Sequence, residues 1–188
     1  MPQNTSDLLI AAAARLLDEG GDAAVTIRAV ANLVALSHNA PYRHFKDRTA
    51  LLAAVAEGDF LSLTKTVERA GTKSKSPFIA LRAAISAFID FARLHPARYR
   101  LLFSAEASQS ESVEKQAMLC FGAFYTLIAS CQAERMIRAG DPRQMTALLY
   151  ACIHGLIDLE LGGKAQASKG LGSIEKIAGF LLELLSSE

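Results

Sequence analysis

Cysteine is scarce: three occur in 188 residues, and no two stand in CxxC spacing, which argues against a structural zinc site. Cys120 and Cys131 fall on one expected helix about 16 Å apart at 1.5 Å per residue, too far for a disulfide, so the thiols read as buried and apolar. Proline is scarce too, with five residues, while apolar residues make up 51% and Ala and Leu dominate. Few breakers among many helix formers describe a mostly helical chain with a real core, and they exclude disorder. Net charge is nearly absent at +1, so any nucleic-acid binding needs a local patch. No uninterrupted apolar run reaches the roughly 18–20 residues of a membrane span, and the opening MPQNTSDLLI lacks the basic start and cleavage site of a signal peptide. The expectation is a cytoplasmic protein with no membrane contact. Internal repeats, low-complexity tracts and strand patterns are also missing.

What is present is helical punctuation. Leu9, Ala12, Ala13 and Leu16 form a stripe that stops at Gly20-Gly21, and Thr26 caps a second helix, Ile27 to about Leu33. Val34 to Leu36 reads as a turn. Ser37 is placed to cap a third short helix through HNAPYRHF, and Asp47 to cap a long fourth helix from Arg48 to about Ala70. GTKSKS, Gly71 to Ser76, is the linker candidate. Ser76-Pro77 and Asp141-Pro142 each start a helix with proline at its first position. Between them, FIALRAAISAFIDFARL is one amphipathic helix broken at His95-Pro96, and another helix is expected from about Ser110 to Ala139. The fold class is all-α: an N-terminal three-helix head over 1–48, a connecting helix over 48–70, and a helical bundle over 71–188.

Two helices joined by the turn at 34–36 make a helix-turn-helix, whose second helix can enter a DNA major groove. Pro41 falls in the first turn of that helix, where at most one hydrogen bond is lost. Ser37, His38 and Asn39 stand at the end that faces base edges, while Tyr42, Arg43, His44 and Lys46 reach toward phosphates. With Thr26, Arg28 and Arg48 they form the candidate DNA-binding set, and from Thr26 to Arg48 four basic residues face the single acid Asp47. His38 and His44, six residues apart, do not share a helical face and no cysteine or carboxylate joins them, so no metal is expected.

The segment TIRAVANLVALSHNAPYRHFKDRTALLAAV, Thr26 to Val55, resembles the DNA-binding region of the TetR family of transcriptional regulators. In that family a Ser-x-x-x-x-Tyr-x-x-Phe pattern marks the recognition helix, and here it stands as Ser37, Tyr42 and Phe45. Ala35 occupies a turn position where the family usually has glycine; a left-handed conformation there costs alanine energy. PARYRLLFS, Pro96 to Ser104, and YACIHGLIDLELGG, Tyr150 to Gly163, resemble a C-terminal type of that family named for Trp, His and Gly, with Tyr150 at the tryptophan position and His154 and Gly155 as expected.

The resemblance implies a regulator, a repressor released from a palindromic double-stranded operator by a small apolar or aromatic effector bound within the bundle. Candidates for the effector pocket are Phe88, Phe91, Phe103, Cys120, Phe121, Phe124, Tyr125, Ile128, Cys131 and His154, any of which can instead be plain core. Met145 to Leu161 is apolar on nearly all sides, and the last helix carries a stripe wider than a monomer exposes. A second copy of the chain is the expected cover, meeting Leu156, Leu159, Ile177, Leu181 and Leu184. No cofactor is expected. Two other readings stay open: an enzyme using His154 with Asp158 at i+4, which lacks a nucleophile motif or cofactor loop, and a helical adaptor that does not bind DNA.

Overall fold

The computed structural model of the protein describes residues 4–187. Among the described residues are α1 (Thr5–Gly20), α2 (Ile27–Leu33), α3 (Arg48–Lys73), α4 (Pro77–Leu94), α5 (Pro96–Leu102), α6 (Glu111–Ala133), α7 (Pro142–Leu161) and α8 (Ile174–Leu185). No strand accompanies them, only an isolated bridge between Ile137 and Ser186. The fold is all-α, as the composition and periodicity require. The outer limits of the two sequence domains, residues 1 and 188, lie outside the described residues.

Local chemistry explains most boundaries. Gly21, with φ +69°, closes α1 by donating its N–H to the Leu17 carbonyl at 2.9 Å, a conformation glycine adopts without a Cβ penalty. Thr26 Oγ1 accepts the Ala29 N–H at 3.0 Å, Asp47 Oδ1 accepts from Ala50 at 2.8 Å, and Asp141 Oδ1 accepts from Arg143 at 2.8 Å. Two expectations fail at helix ends. α3 runs through Gly71 to Lys73, so only Ser74–Ser76 separate it from α4. α6 stops at Ala133 rather than Ala139: Arg135 turns left-handed at φ +54° and the Met136 N–H reaches back to the Cys131 carbonyl at 2.8 Å. Stopping there places Ile137 in the core and lets the Arg138 N–H bond the Leu185 carbonyl at 2.8 Å.

The length and apolarity of α6, with a mean hydropathy of 1.2 over its best window, are enough to cross a membrane by composition alone. No unbroken apolar run shows this, because the polar residues are interspersed. Five of its side chains, Val113, Cys120, Leu127, Ile128 and Cys131, are core residues of this chain.

The residues group into two compact units. One comprises the chain up to Ser62 together with His95–Ala117; the other comprises Leu63–Leu94 and Met118 onward. In the first, α1 packs on α2 and α5 around Leu9, Ala13, Leu17, Val30, Leu51 and Tyr99. An ionic cluster runs from its buried Asp59 to the surface at Asp18. Arg98 Nε donates to Asp59 Oδ2 at 2.9 Å and its second nitrogen to Asp59 Oδ1, while Asp18 Oδ2 lies 3.3 Å from Arg98 and 2.9 Å from His95 Nδ1. Burial pushes the Asp59 carboxyl above the ordinary carboxylate range, and the Arg98 guanidinium pulls it partly back. In the second unit α4, α7 and α8 pack together, and Arg93 of α4 holds Glu160 of α7 at 2.6 Å and Glu175 of α8.

Candidate nucleic-acid interface

The turn after α2 has the geometry that the sequence suggests and at the position it suggests. Ala35 adopts φ +54°, the Leu36 N–H returns to the Ala31 carbonyl at 2.9 Å and the Ala35 N–H to Asn32 at 3.1 Å. A β-carbon in that conformation is strained, so the sharp reversal costs energy that glycine there avoids.

Beyond the turn the expected α-helix is not formed. Residues 38–40 are turn and bend, and Pro41–Arg43 make one 3-10 turn. The reason is Pro41, which has no N–H to return to the Ser37 carbonyl; the Ala40 N–H takes that carbonyl instead, at 2.9 Å, in an i to i+3 bond. Ser37 therefore starts the segment through its carbonyl, and its hydroxyl caps nothing among the described residues. The tail widens to one α-type bond, with the Phe45 N–H on the Pro41 carbonyl at 2.9 Å.

Pro41 and Phe45, four residues apart, are buried and pin the segment from behind. Their burial turns Ser37, His38, Asn39, Tyr42, Arg43, His44 and Lys46 outward, all of them exposed. Two members of the candidate set have other employment. Arg48 donates to the Val25 carbonyl at 2.7 Å and to Asp22 Oδ1 at 2.5 Å, so it ties the start of α3 to the loop before α2. Thr26 is the cap of α2. Lys46 lies 3.8 Å from Asp47, whereas the exposed Arg28 and Arg43 make no ion pair among the described residues. Asn32, which the sequence reading missed, places its Oδ1 3.0 Å from His38 Nε2 across the turn and fixes the ring's direction.

In the second unit, several effector candidates come together. Phe88 meets Phe124 edge-on at 6.1 Å, Phe121 meets Tyr150 at 6.4 Å, and Tyr150 stacks on His154 at 5.8 Å with the rings 3° from parallel. Ile128 and Cys131 are core, Phe91 is partly buried and Tyr125 is exposed. Phe103 belongs to the first unit, 5.0 Å from Tyr99. Burial pushes the thiols of Cys120 and Cys131 up to about 11, which keeps them protonated and unreactive at neutral pH. His154 Nε2 and Asp158 Oδ2 stand 3.9 Å apart, beyond hydrogen-bond reach, so the carboxylate does not orient the imidazole. An open cleft of about 540 Å³ beside α8, lined by Lys176, Ile177 and Phe180, and a smaller one of about 130 Å³ between α4 and α8 contain none of the effector candidates.

The interface candidates also divide. Leu156 is 8% exposed and belongs to its own chain's core, while Leu159, Ile177 and Leu181 are partly buried and Leu184 is half exposed. Leu148 and Phe180, which the sequence reading passed over, are exposed beside them on α7 and α8.

Residues 9–55, from α1 through the turn and the pinned segment into α3, match the family described as bacterial regulatory proteins, tetR family, and residues 81–182 match the tetracyclin repressor-like C-terminal domain. The chain belongs to the TetR family. It is a DNA-binding transcriptional regulator, of a family that acts as dimers, and both segments that resemble the Trp-His-Gly type lie within the second match. No curated protein matches it. Similar solved structures include a Rhodococcus protein of unknown function, 25% identical over 98% of this chain and 97% of its own, with a TM-score of 0.82. A TetR-family transcriptional regulator from Pectobacterium atrosepticum is 22% identical over 98% of this chain and 95% of its own, at a TM-score of 0.78. A third, a TetR transcriptional regulator from Streptomyces coelicolor, is 22% identical over 97% of this chain and 98% of its own, at 0.66. At 22% identity the last two bear on the fold alone.

Proposed function

We propose that this TetR-family protein is a one-component repressor that leaves a palindromic operator when a small apolar or aromatic effector binds. The observation that carries the reading is the segment Ser37–Lys46, pinned by Pro41 and Phe45 so that its polar side chains all face outward beyond the turn. Base edges fall to His38 and Asn39, phosphates to Tyr42, Arg43, His44 and Lys46 with Arg28 beside them. Arg48 serves by fixing the start of α3 rather than by gripping DNA. The functional modules are residues 1–48 for DNA, 48–70 as the connection and 71–188 for effector and partner. A second copy covers Leu148, Leu159, Ile177, Phe180, Leu181 and Leu184, giving an isologous four-helix contact. An effector that favours one arrangement of α3 changes the separation of the two heads and so the affinity for DNA. The site of action is the cytoplasm, where the operator lies.

The test is selection of bound sequences from a random DNA pool. A palindrome with half-sites about one helical turn apart, or a near multiple, is the expected product. Enrichment of nothing above background, with the protein folded and dimeric, contradicts the reading and favours a helical adaptor.

A further inference from the structure

Gln116 carries a polar atom that the fold leaves unserved. Its Oε1 is shut off from solvent and accepts no hydrogen bond among the described residues. Buried carbonyl oxygens nearly always find a donor, so an unpaired one is a place that a donor from outside the chain, a water or a ligand, can fill. Gln116 stands on α6 one turn beyond Ser112, whose hydroxyl donates to Glu57 of α3. Further on, Thr64 of α3 and Cys120 of α6 are hydrogen-bonded, so the two helices run in the same direction and in step. Gln116 is therefore level with Phe60, one turn beyond Glu57. Phe60 is 3% exposed and meets Phe103 edge-on at 6.0 Å, and Phe103 packs on Tyr99 at 5.0 Å. Phe60 and Phe103 bring aromatic rings to the level of this amide, and Arg98 of the same unit is committed to Asp59 and Asp18.

We propose that Gln116 is the polar anchor of the effector site, accepting a hydrogen bond from a neutral aromatic ligand that carries a hydroxyl or N–H, with Phe60 and Phe103 as the apolar wall. The proposal rests on the regulator reading above and narrows its ligand class. A carboxylate oxygen set against Oε1 is repelled by it, so the partner that fits this atom is a hydroxyl or N–H donor. A site built around one buried acceptor rejects an isostere that lacks the donor, since the acceptor is then left unpaired.

The full-length dimer is titrated by calorimetry with phenol, 2-naphthol and 4-phenylphenol, each beside its methyl ether and the carboxylate of the same ring system. Wild type, Gln116→Leu and the near-isosteric Gln116→Met are compared, with operator affinity and melting temperature measured on the same preparations. At least one phenol is expected to bind about tenfold or more tightly than its ether, with the carboxylate weakest. Both variants are expected to melt no lower than wild type, to hold the selected operator within about threefold, and to lose the preference for phenol over ether. The proposal is overturned if no phenol binds, if an ether matches its phenol, if the preference survives in both variants, or if both variants melt several degrees lower. The last result shows the amide already satisfied within the protein. Failure of the wild type to select any DNA strikes at the regulator reading instead, and phenol discrimination in that same preparation supports the Gln116 site by itself.

Discussion

Tyr42 and Phe180 are equally exposed, at 57% and 58%, yet they belong to opposite kinds of surface. Around Tyr42 stand Arg43 on the same 3-10 turn and His44 and Lys46 just after it; around Phe180 stand Ile177, Leu181 and Leu184 on twelve residues of regular helix. The first surface offers donors and positive charge to a polyanion, with the Tyr42 ring as its large exposed apolar body. The second offers a mainly apolar area, bordered by Lys176, which another chain of the same kind can cover. Exposure alone therefore says nothing about the partner, and the neighbouring side chains decide it.

The strongest way to break the comparison is to put charge on the apolar surface. Leu184 is half exposed in its own chain, so Leu184→Arg leaves the core intact. It is expected to yield folded monomers in sedimentation and to weaken operator binding about 10²- to 10⁴-fold, since two linked heads bind as one. A dimeric Leu184→Arg protein with normal affinity removes the α8 face from the account.

The supports beneath the two surfaces differ as well. The first unit contains the buried Asp59 with the part-buried Arg98, the second the partly exposed Arg93 with Glu160 and Glu175. Asp59→Ala removes the main partner of a part-buried guanidinium that keeps Asp18 at 3.3 Å, and is expected to cost about 1–3 kcal/mol in urea unfolding, while Asp59→Leu combined with Arg98→Met recovers most of that loss. Equal destabilisation by the single and the double change contradicts the assignment.

A smaller effect is expected at the turn that leads to the reading surface. Ala35→Gly removes the β-carbon from a φ of +54° and is expected to stabilise the protein by about 1 kcal/mol, measured by thermal or urea unfolding, with operator affinity unchanged. Destabilisation there means that the left-handed turn is not populated. Smallest is Glu175. Its Arg93 partner holds the carboxyl at about 2 against an ordinary 4.5. A lowered value in the folded state stabilises the protein above pH 4.5, and the contribution disappears as pH falls through 2. Because both groups are partly exposed, Glu175→Gln is expected to cost less than about 1 kcal/mol at pH 7, a cost that shrinks steadily as pH falls from 4.5 through 2. A cost that persists at low pH points to packing rather than charge.

Legibility in the sequence followed the range of the interactions involved. Gly20-Gly21, Thr26, Asp47 and Asp141 act on neighbours within a turn, so the ends of α1, α2, α3 and α7 could be read directly. Ala35 was legible as a strained turn for the same reason. Pro41 was legible as a perturbation, but its consequence was underestimated: with the Ser37 carbonyl taken by Ala40, the segment became a 3-10 turn instead of a capped helix. Asp59 and Arg98 lie 39 residues apart and carry no pattern linking them; nor do Arg48 and Asp22, 26 apart. Gln116 reads as one polar residue on an amphipathic helix, and only the depth of its oxygen singles it out. Phe180 was within reach, three residues after Ile177 on the same apolar stripe.

The central claim is that Ser37–Lys46 reads DNA with its first residues and grips with its last. Binding of wild type, His38→Ala, Asn39→Ala and Lys46→Ala is measured across every single-base change of the selected operator, at two salt concentrations. His38→Ala and Asn39→Ala are each expected to cost about 1–3 kcal/mol and to flatten the preference at one position per half-site. Lys46→Ala is expected to weaken all sequences alike and to lower the salt slope by about one for each phosphate that Lys46 neutralises. Profiles unchanged in shape for His38→Ala and Asn39→Ala, together with a distorted profile for Lys46→Ala, contradict the account and mean that the segment meets the groove from its other end.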